Sequence, residues 1–507
     1  MKYNLDISNG VYTFTPVIII SDVLIINKDN KSNYNFIEGL VNNDVALANK
    51  NEFQRVVDLA KSDYNGKLFI DDLDVYYNIT NTTDRHSKYN TIAIPSDFDL
   101  ELGANLIARV QPNGNDGYML FGIDDEDNVT IKGKGTLIGD RYEHNYNSGI
   151  GSRTQEWGHL IYIRAAHNII IDGLTIKKGS GDAVEIRGRN HRNNDGSLKS
   201  NGKESFNITI KNCFIDDNRR NNISVVDGTD IFIEHNTIKN AGSGIKEPSV
   251  ISSNGISPRV GIDVEAFKWN APDDNSVYDL QRCEEIHIRN NIFSENYAAD
   301  VILFNGEKSY VYENIFNSEV GVGTSYGYNN KVYNNTFNNK SSETTSGKGI
   351  SIEGVKWANG EERHTDWEIY GNTFINYHFG TIITGDRHSV YSNTYVDCKY
   401  SVRINYNKDC VYVDNNISSL VLNSGGYNTY SSEIQIIGTT ITGGVLSTVS
   451  ESLSLFNVNN KLSGGLIIDS ISANSIRFRN SQNIILKNST FDSIRESDSD
   501  ITKINNN

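Results

Sequence analysis

Acidic and basic residues interrupt three short apolar segments of this chain at strand spacing: DAVEIRG at 182–188, NRRNNISVVDG at 218–228 and GIDVEAF at 261–267. Side chains alternate across a strand, so with Ile262 and Val264 turned inward, Asp263 and Glu265 share the outward face about 6.5–7 Å apart. The same rule turns Val184 and Ile186 inward and Glu185 and Arg187 outward. Stacked as successive strands about 4.8 Å apart, the three segments bring Asp182, Glu185, Asp263 and Glu265 together with Arg219, Arg220 and Asp227. Inverting hydrolysis of a glycosidic bond needs one protonated carboxyl and one ionised carboxylate, roughly 6.5–9.5 Å apart so that a water fits between them. Mutual repulsion supplies the two states by raising one pKa and leaving the other group charged. Asp263 and Glu265 are therefore the leading acid and base. Asp182 and Glu185 are further catalytic candidates, and Arg219, Arg220 and Asp227 candidate substrate contacts. A solitary outward Asp or Glu only keeps a strand soluble; the convergence singles these out.

Other candidates stand on single features. Trp157, Trp269 and Tyr326 offer flat apolar faces that suit pyranose rings, against the alternative of packing beneath a loop. His159 in EWGHLIYI and His191 in the polar stretch 187–205 are proton carriers by type, although a surface histidine needs no role. Asn193-Asn194-Asp195-Gly196 has half of a calcium loop, but Gly202 stands where a bidentate Glu is required, so neither a metal nor a cofactor is expected. GVGTSYG at 321–327 is followed by no helix, which removes a phosphate-binding reading.

What positions these residues is a repeat. The phrase Asn-apolar-x-apolar-x-Asn-x-apolar recurs as NIIIDGLTI at 168, NITIKNCFI at 207, EIHIRNNIF at 285, WEIYGNTF at 367 and NIILKNSTF at 483, with several more copies between. Its apolar positions Phe293, Phe316, Phe337, Phe374, Tyr395 and Ile417 step by 23, 21, 37, 21 and 22 residues. A second family, Gly-apolar-x-apolar, alternates with it, as in GISIEG at 349 and GTIITG at 380. A period of this size with strand alternation specifies an all-β solenoid, a right-handed parallel β-helix with two short strands per turn. The Asn columns turn the chain through left-handed backbone and stack into amide ladders.

Around that solenoid, residues 49–62 place Phe53, Val56, Val57 and Ala60 at helical spacing, predicting a helix that caps the open end of the coil stack. Residues 1–48 are expected to be a separate attachment or oligomerisation segment, 49–90 the cap and lead-in, 91–495 the β-helix and 496–507 a flexible tail. The apolar run at 16–26 is broken by Ser21 and Asp22 and lacks basic flanks, so it reads as strand rather than signal peptide or membrane span. Four cysteines without CxxC spacing read as buried thiols. With 63 acidic against 47 basic residues and a net charge of −16, a nucleic-acid partner is excluded.

The segment 41–110, with NDVALANKNEFQRVVDLAK and IAIPSDFDLELGANLI, then GKGTLIGD at 133–140 and EWGHLIYIRAAHNIIIDGLTI at 156–176, resembles the opening of pectate-lyase-like β-helix proteins. GSGDAVEI at 179–186 continues the likeness, which extends to bacteriophage tailspike polysaccharide depolymerases. The resemblance implies a carbohydrate-processing protein, extracellular or virion-associated without a signal peptide, assembled as a homotrimer on a virion tail through its N-terminus. It supplies no ready catalytic set. The polygalacturonase Asp-Asp pair and Gly-His-Gly are absent, with Gly181-Asp182-Ala183 where the pair would stand, and the calcium-binding lyase cluster is not found.

Three functions remain open on this reading. The first is a glycan depolymerase hydrolysing glycosidic bonds with the carboxylate pair. The second is a polysaccharide lyase or uronate epimerase in which Arg219 or Arg220 neutralises a substrate carboxylate. The third is a non-catalytic glycan-binding protein, since fold does not dictate function.

Overall fold

The structure is a computed structural model. It describes residues 2–8, 11–17, 22–79, 91–112, 117–146, 155–189, 193, 199–244, 252–270, 277–279, 281–340, 347–353, 364–408, 410–413, 415–417, 420–423, 435–437, 440–441, 445–447, 449–450, 453–454, 466–469, 472–479, 484–497 and 501–504.

The chain folds as a right-handed parallel β-helix with one α-helix at its N-terminal end. Each coil contributes three strands rather than the expected two. The recurring Asn phrase covers two of them: Cys283–Arg289 forms one strand and Ile292–Ser294 the next, with the chain turning at Asn290 and Asn291 between them. The Gly-apolar segments supply the remaining strand. Coil upon coil, these make a first column that includes His167–Asp172, Ser205–Lys211, Gly228–Glu234 and Cys283–Arg289, all in parallel register. A second column runs through Trp157–Arg164, Val184–Arg187, Ile223–Val225 and Val260–Glu265. A third runs from Asp74–Tyr77 to Thr440–Ile441.

Two residues share the corner work that the sequence reading assigned to one. The first takes the left-handed conformation, as at His235 (φ 57), Asn290 (φ 55), Glu313 (φ 57) and Asn334 (φ 55). The second is a buried Asn whose amide donates to the Asn one coil on: Asn236 to Asn291, then Asn314, Asn335, Asn372, Asn393 and Asn415, each link 3.0 or 3.1 Å. Each ladder oxygen also accepts a backbone N–H from the preceding coil, so a polar column lies inside the stack without orphaned groups. Just beyond it, Phe293, Phe316, Phe337, Phe374 and Tyr395 stack with ring centroids 4.5–4.9 Å apart. Burying such a ring is worth about 1.5–3 kcal/mol and its stacking about 0.5–1.5 kcal/mol more.

The capping helix, Asn43–Asp63, starts six residues earlier than the apolar spacing alone indicated, because Asn42 caps it by accepting from the amides of Asp44 and Val45. Its buried face closes the core, with Phe53 against Tyr77 and Phe121. Both chain ends depart from expectation. Leu24–Ile26 pairs in parallel with Leu68–Ile70, which pairs with Leu100–Leu102, so the first column begins within the stretch read as a separate attachment segment. At the other end Ile501–Ile504 pairs with Ile484–Lys487, where a flexible tail was expected. The four cysteines are free and buried.

Candidate active site

The second column carries the chemistry. Its register aligns Tyr162, Glu185, Ser224, Asp263 and Ile302 in one outward row. The chain leaves this column after Arg187 and after Glu265, and re-enters it at Val260 from the segment that follows Lys239. Glu185 and Asp263, which alternation alone would leave in solvent, are buried among side chains of the neighbouring coils.

A cleft of about 210 Å³ opens over these strands. Charged residues line its floor: Glu156, Asp182, Glu185, Glu265, Arg187, Arg220 and His159. Trp157, Phe267 and Phe304 form apolar walls, with Gln281 at the edge. Close approach at Gly181 makes the floor possible. A Cβ there would lie 2.1 Å from the Glu156 carbonyl, so only glycine lets the 155–157 backbone cross the turn that presents Asp182.

Arg220 organises the acids. One Nη donates to Asp182 at 2.8 Å and the other to Glu265 at 3.2 Å, so the two carboxylates stand apart across the width of one guanidinium. Asp182 also accepts from the Asn221 amide and the Ser224 hydroxyl, both at 2.9 Å. Ringed by carboxylates, the Arg220 guanidinium keeps its proton despite burial. A second pair lies alongside. His159 Nε2 meets Glu185 Oε2 at 2.6 Å as a close, oblique ion pair, and Arg187 holds the other Glu185 oxygen at 3.1 Å. Burial works against the Glu185 charge, but His159 first and then Arg187 and Arg220 outweigh it and hold the carboxyl down at about 2. Burial likewise opposes the His159 charge, and Glu185 with Asp182 more than compensates, so the imidazole titrates above its usual value.

The sequence-predicted residues divide on this geometry. Asp182, Glu185, Glu265, Arg220, Trp157 and His159 meet at the cleft. Asp263 was expected on an exposed face and is instead buried behind the floor, its carboxyl accepting from Asn221 Nδ2 at 3.0 Å. Burial first, then the nearby Glu265, push the Asp263 pKa well above the ordinary range. Arg219 faces the other way and is wholly buried. It donates to the carbonyls of Ser252, Asn254, Gln155 and Ser180, and its guanidinium lies 4.2 Å from the Tyr146 ring centre. Its work is to anchor loops. Asp227 is buried and accepts from the Arg282 amide at 3.2 Å, away from the cleft lining. Trp269 lies in the hairpin strand Lys268–Asn270, but its side chain is outside the described residues, as is all of His191. Tyr326 packs edge-on against Phe304 at 4.7 Å.

Sequence reasoning missed Glu156, Phe267, Gln281 and Phe304. Phe304 was within reach, because aligning GIDVEAF with the next second-column strand sets it beside Glu265. Among the described residues, no group of three His, Cys, Asp or Glu side chains is arranged to hold a metal ion.

No protein-family model matches the chain. It is 28% identical over 328 residues to the uncharacterized protein YclG of Bacillus subtilis, covering 64% of this chain and 51% of that one. To the SPbeta prophage-derived uncharacterized protein YorA of the same organism it is 28% identical over 304 residues, covering 60% and 47%. The chain spans about half the length of these curated relatives. Among solved structures, a tailspike protein variant of E. coli bacteriophage HK620 in complex with a pentasaccharide aligns with a TM-score of 0.56 at 13% identity, over 96% of this chain and 79% of that one. A second variant of that tailspike, also with a pentasaccharide, aligns at 0.56 and 12% identity over 99% and 82%. The fold is that of the phage tailspikes. At so low an identity this likeness concerns architecture, and the chemistry rests on the residues of the cleft.

Proposed function

We propose that the protein is a polysaccharide depolymerase that hydrolyses glycosidic bonds of a bacterial surface or extracellular glycan in the cleft over the second column. The observation that carries this reading is the carboxyl arrangement around Arg220, walled by Trp157, Phe267 and Phe304. Aromatic faces take the apolar faces of sugar rings. Behind the floor, burial and then the nearby Glu265 raise the Asp263 pKa, and Glu265 is the more accessible of the two. In this reading the neighbouring Asp263 and Glu265 share one proton, which Glu265 passes to the departing glycosidic oxygen, while Asp182, on the other arm of Arg220, accepts one from the attacking water. An inverting displacement needs its two carboxyls far enough apart to admit the attacking water, and their attachment to opposite arms of Arg220 is compatible with that. Glu185 takes a positioning role, since its carboxyl is committed to His159 and Arg187.

The tailspike fold and the prophage origin of one relative support an extracellular or virion-associated location. We further propose that the chain works as a homotrimer and that its N-terminal residues attach it to a larger assembly. Incubating wild-type protein and Glu265→Gln with bacterial surface glycans, then sizing the products, tests the function. Shortened chains with new reducing ends from the wild type alone are expected. Binding without shortening by either protein would replace the enzyme with a glycan-recognition protein.

A further inference from the structure

The charge pattern of the cleft bears on which glycan it takes. Resting on the hydrolytic reading above, we propose that the substrate is a neutral polymer, free of uronate and phosphate groups and recognised through its hydroxyl and amide N–H donors.

The cleft offers four carboxyls, on Glu156, Asp182, Glu185 and Glu265, against the three cations of His159, Arg187 and Arg220. Each cation already faces a carboxylate of the protein itself. Arg187 lies 3.1 Å from Glu185, His159 lies 2.6 Å from the same residue, and Arg220 spans Asp182 at 2.8 Å and Glu265 at 3.2 Å. An anionic sugar would therefore meet cations whose charge is neutralised, while closing on carboxylates that repel it. The arginine best suited by sequence to receive such an anion, Arg219, turns its guanidinium to four backbone carbonyls behind the cleft wall. A net charge of −16 adds long-range repulsion of polyanions. Carboxylates are pure acceptors, and a polyhydroxylated chain carries the donors to match them. This pattern opposes the lyase and epimerase alternative, whose substrates need a cation beside the uronate carboxyl.

The test uses a panel of bacterial polysaccharides, neutral and uronate-containing, with each acidic member also supplied after chemical reduction of its carboxyls to alcohols. Native and reduced forms then share backbone and linkages and differ only at the carboxyl carbon, which carries an anionic acceptor in one and a neutral hydroxyl in the other. Chain cleavage by the wild type is measured at low and high salt, and by Glu156→Gln at low salt. Expected is cleavage confined to neutral or reduced members, or at least tenfold faster on them. The gap should narrow in high salt, where exposed charges are screened, and in Glu156→Gln. Faster cleavage of the native acidic forms would overturn the inference and leave the depolymerase reading standing. Cleavage of no member would overturn both.

Discussion

Replacing Glu185 by Gln separates an anchoring role from a catalytic one. Its carboxyl, 2% exposed, is held at about 2 against an ordinary 4.5, because His159, Arg187 and Arg220 together outweigh its burial. A carboxyl with a depressed folded-state pKa contributes stability that is fully present above its unfolded value and is lost as pH falls through the folded value. Spread over that interval, at about 1.4 kcal/mol for each pH unit, the contribution is about 3 kcal/mol, present from near pH 5 upward and gone below about pH 2. Removing one member of a buried pair also strands the other, a loss of about 3–5 kcal/mol in comparable cases, so the variant should melt markedly earlier near neutrality. The deficit should shrink in acid, where the wild type loses the same contribution. A solenoid unfolds in pieces, so amide exchange across residues 159–187 will report the loss more locally than a global melt. The His159 imidazole, followed by NMR, should titrate lower in the variant because burial is then opposed only by the more distant Asp182. An unchanged melt near neutrality together with an unchanged His159 titration would refute this account and return Glu185 to the list of proton donors.

Glu265→Gln should lower glycan turnover by about 10²–10⁴-fold and leave the melting temperature unchanged, since that side chain is 42% exposed; steady-state rates alongside thermal melts check both halves. Asp300 is buried with one oxygen accepting from Asn296 and Ser318 and the other without a partner, and burial raises its carboxyl from 3.8 to about 7. Wild-type stability should accordingly fall as pH rises from about 4 to 7 by about 4 kcal/mol, and Asp300→Asn should flatten that dependence and be the more stable protein in alkali, as denaturant melts across pH will show. Asn335→Ala removes one rung of the amide ladder, taking the acceptor from the backbone N–H of Asn314 and a donor from the Val311 carbonyl inside the stack. It should cost about 2–3 kcal/mol or more, with amide exchange faster in the flanking coils.

Period and alternation made the solenoid legible because each coil repeats the same physical problem. Phe293 and Phe316 stack, and the Asn columns are ladders, because identical side chains recur at identical places. The third strand per coil escaped notice since its corner is only a two-residue turn, Asn290 and Asn291, inside what reads as one phrase. Alternation correctly turned Asp263 and Glu185 away from the core, yet both are buried, because His159 closes on Glu185 and Asn221 on Asp263, contacts between coils that the pattern of a single strand does not carry. Arg219 and Arg220 are neighbours of the same type. Which of them enters the cleft depends on the carbonyls of Gln155 and Ser252, far off in sequence, that capture Arg219. The pairing of His159 with Glu185 escaped the strand alignment as well, because stacking register sets Tyr162 opposite Glu185 and His159 reaches it from three residues earlier.

The most direct test of the central claim is cleavage of a susceptible glycan in water enriched in heavy oxygen, with the products analysed by mass spectrometry and NMR. Hydrolysis by the carboxyls around Arg220 predicts one heavy oxygen at each new reducing end, inverted anomeric configuration in the first product, and loss of the reaction in Glu265→Gln. Unsaturated products without the label, or labelled products formed at wild-type rate by Glu265→Gln, would contradict it.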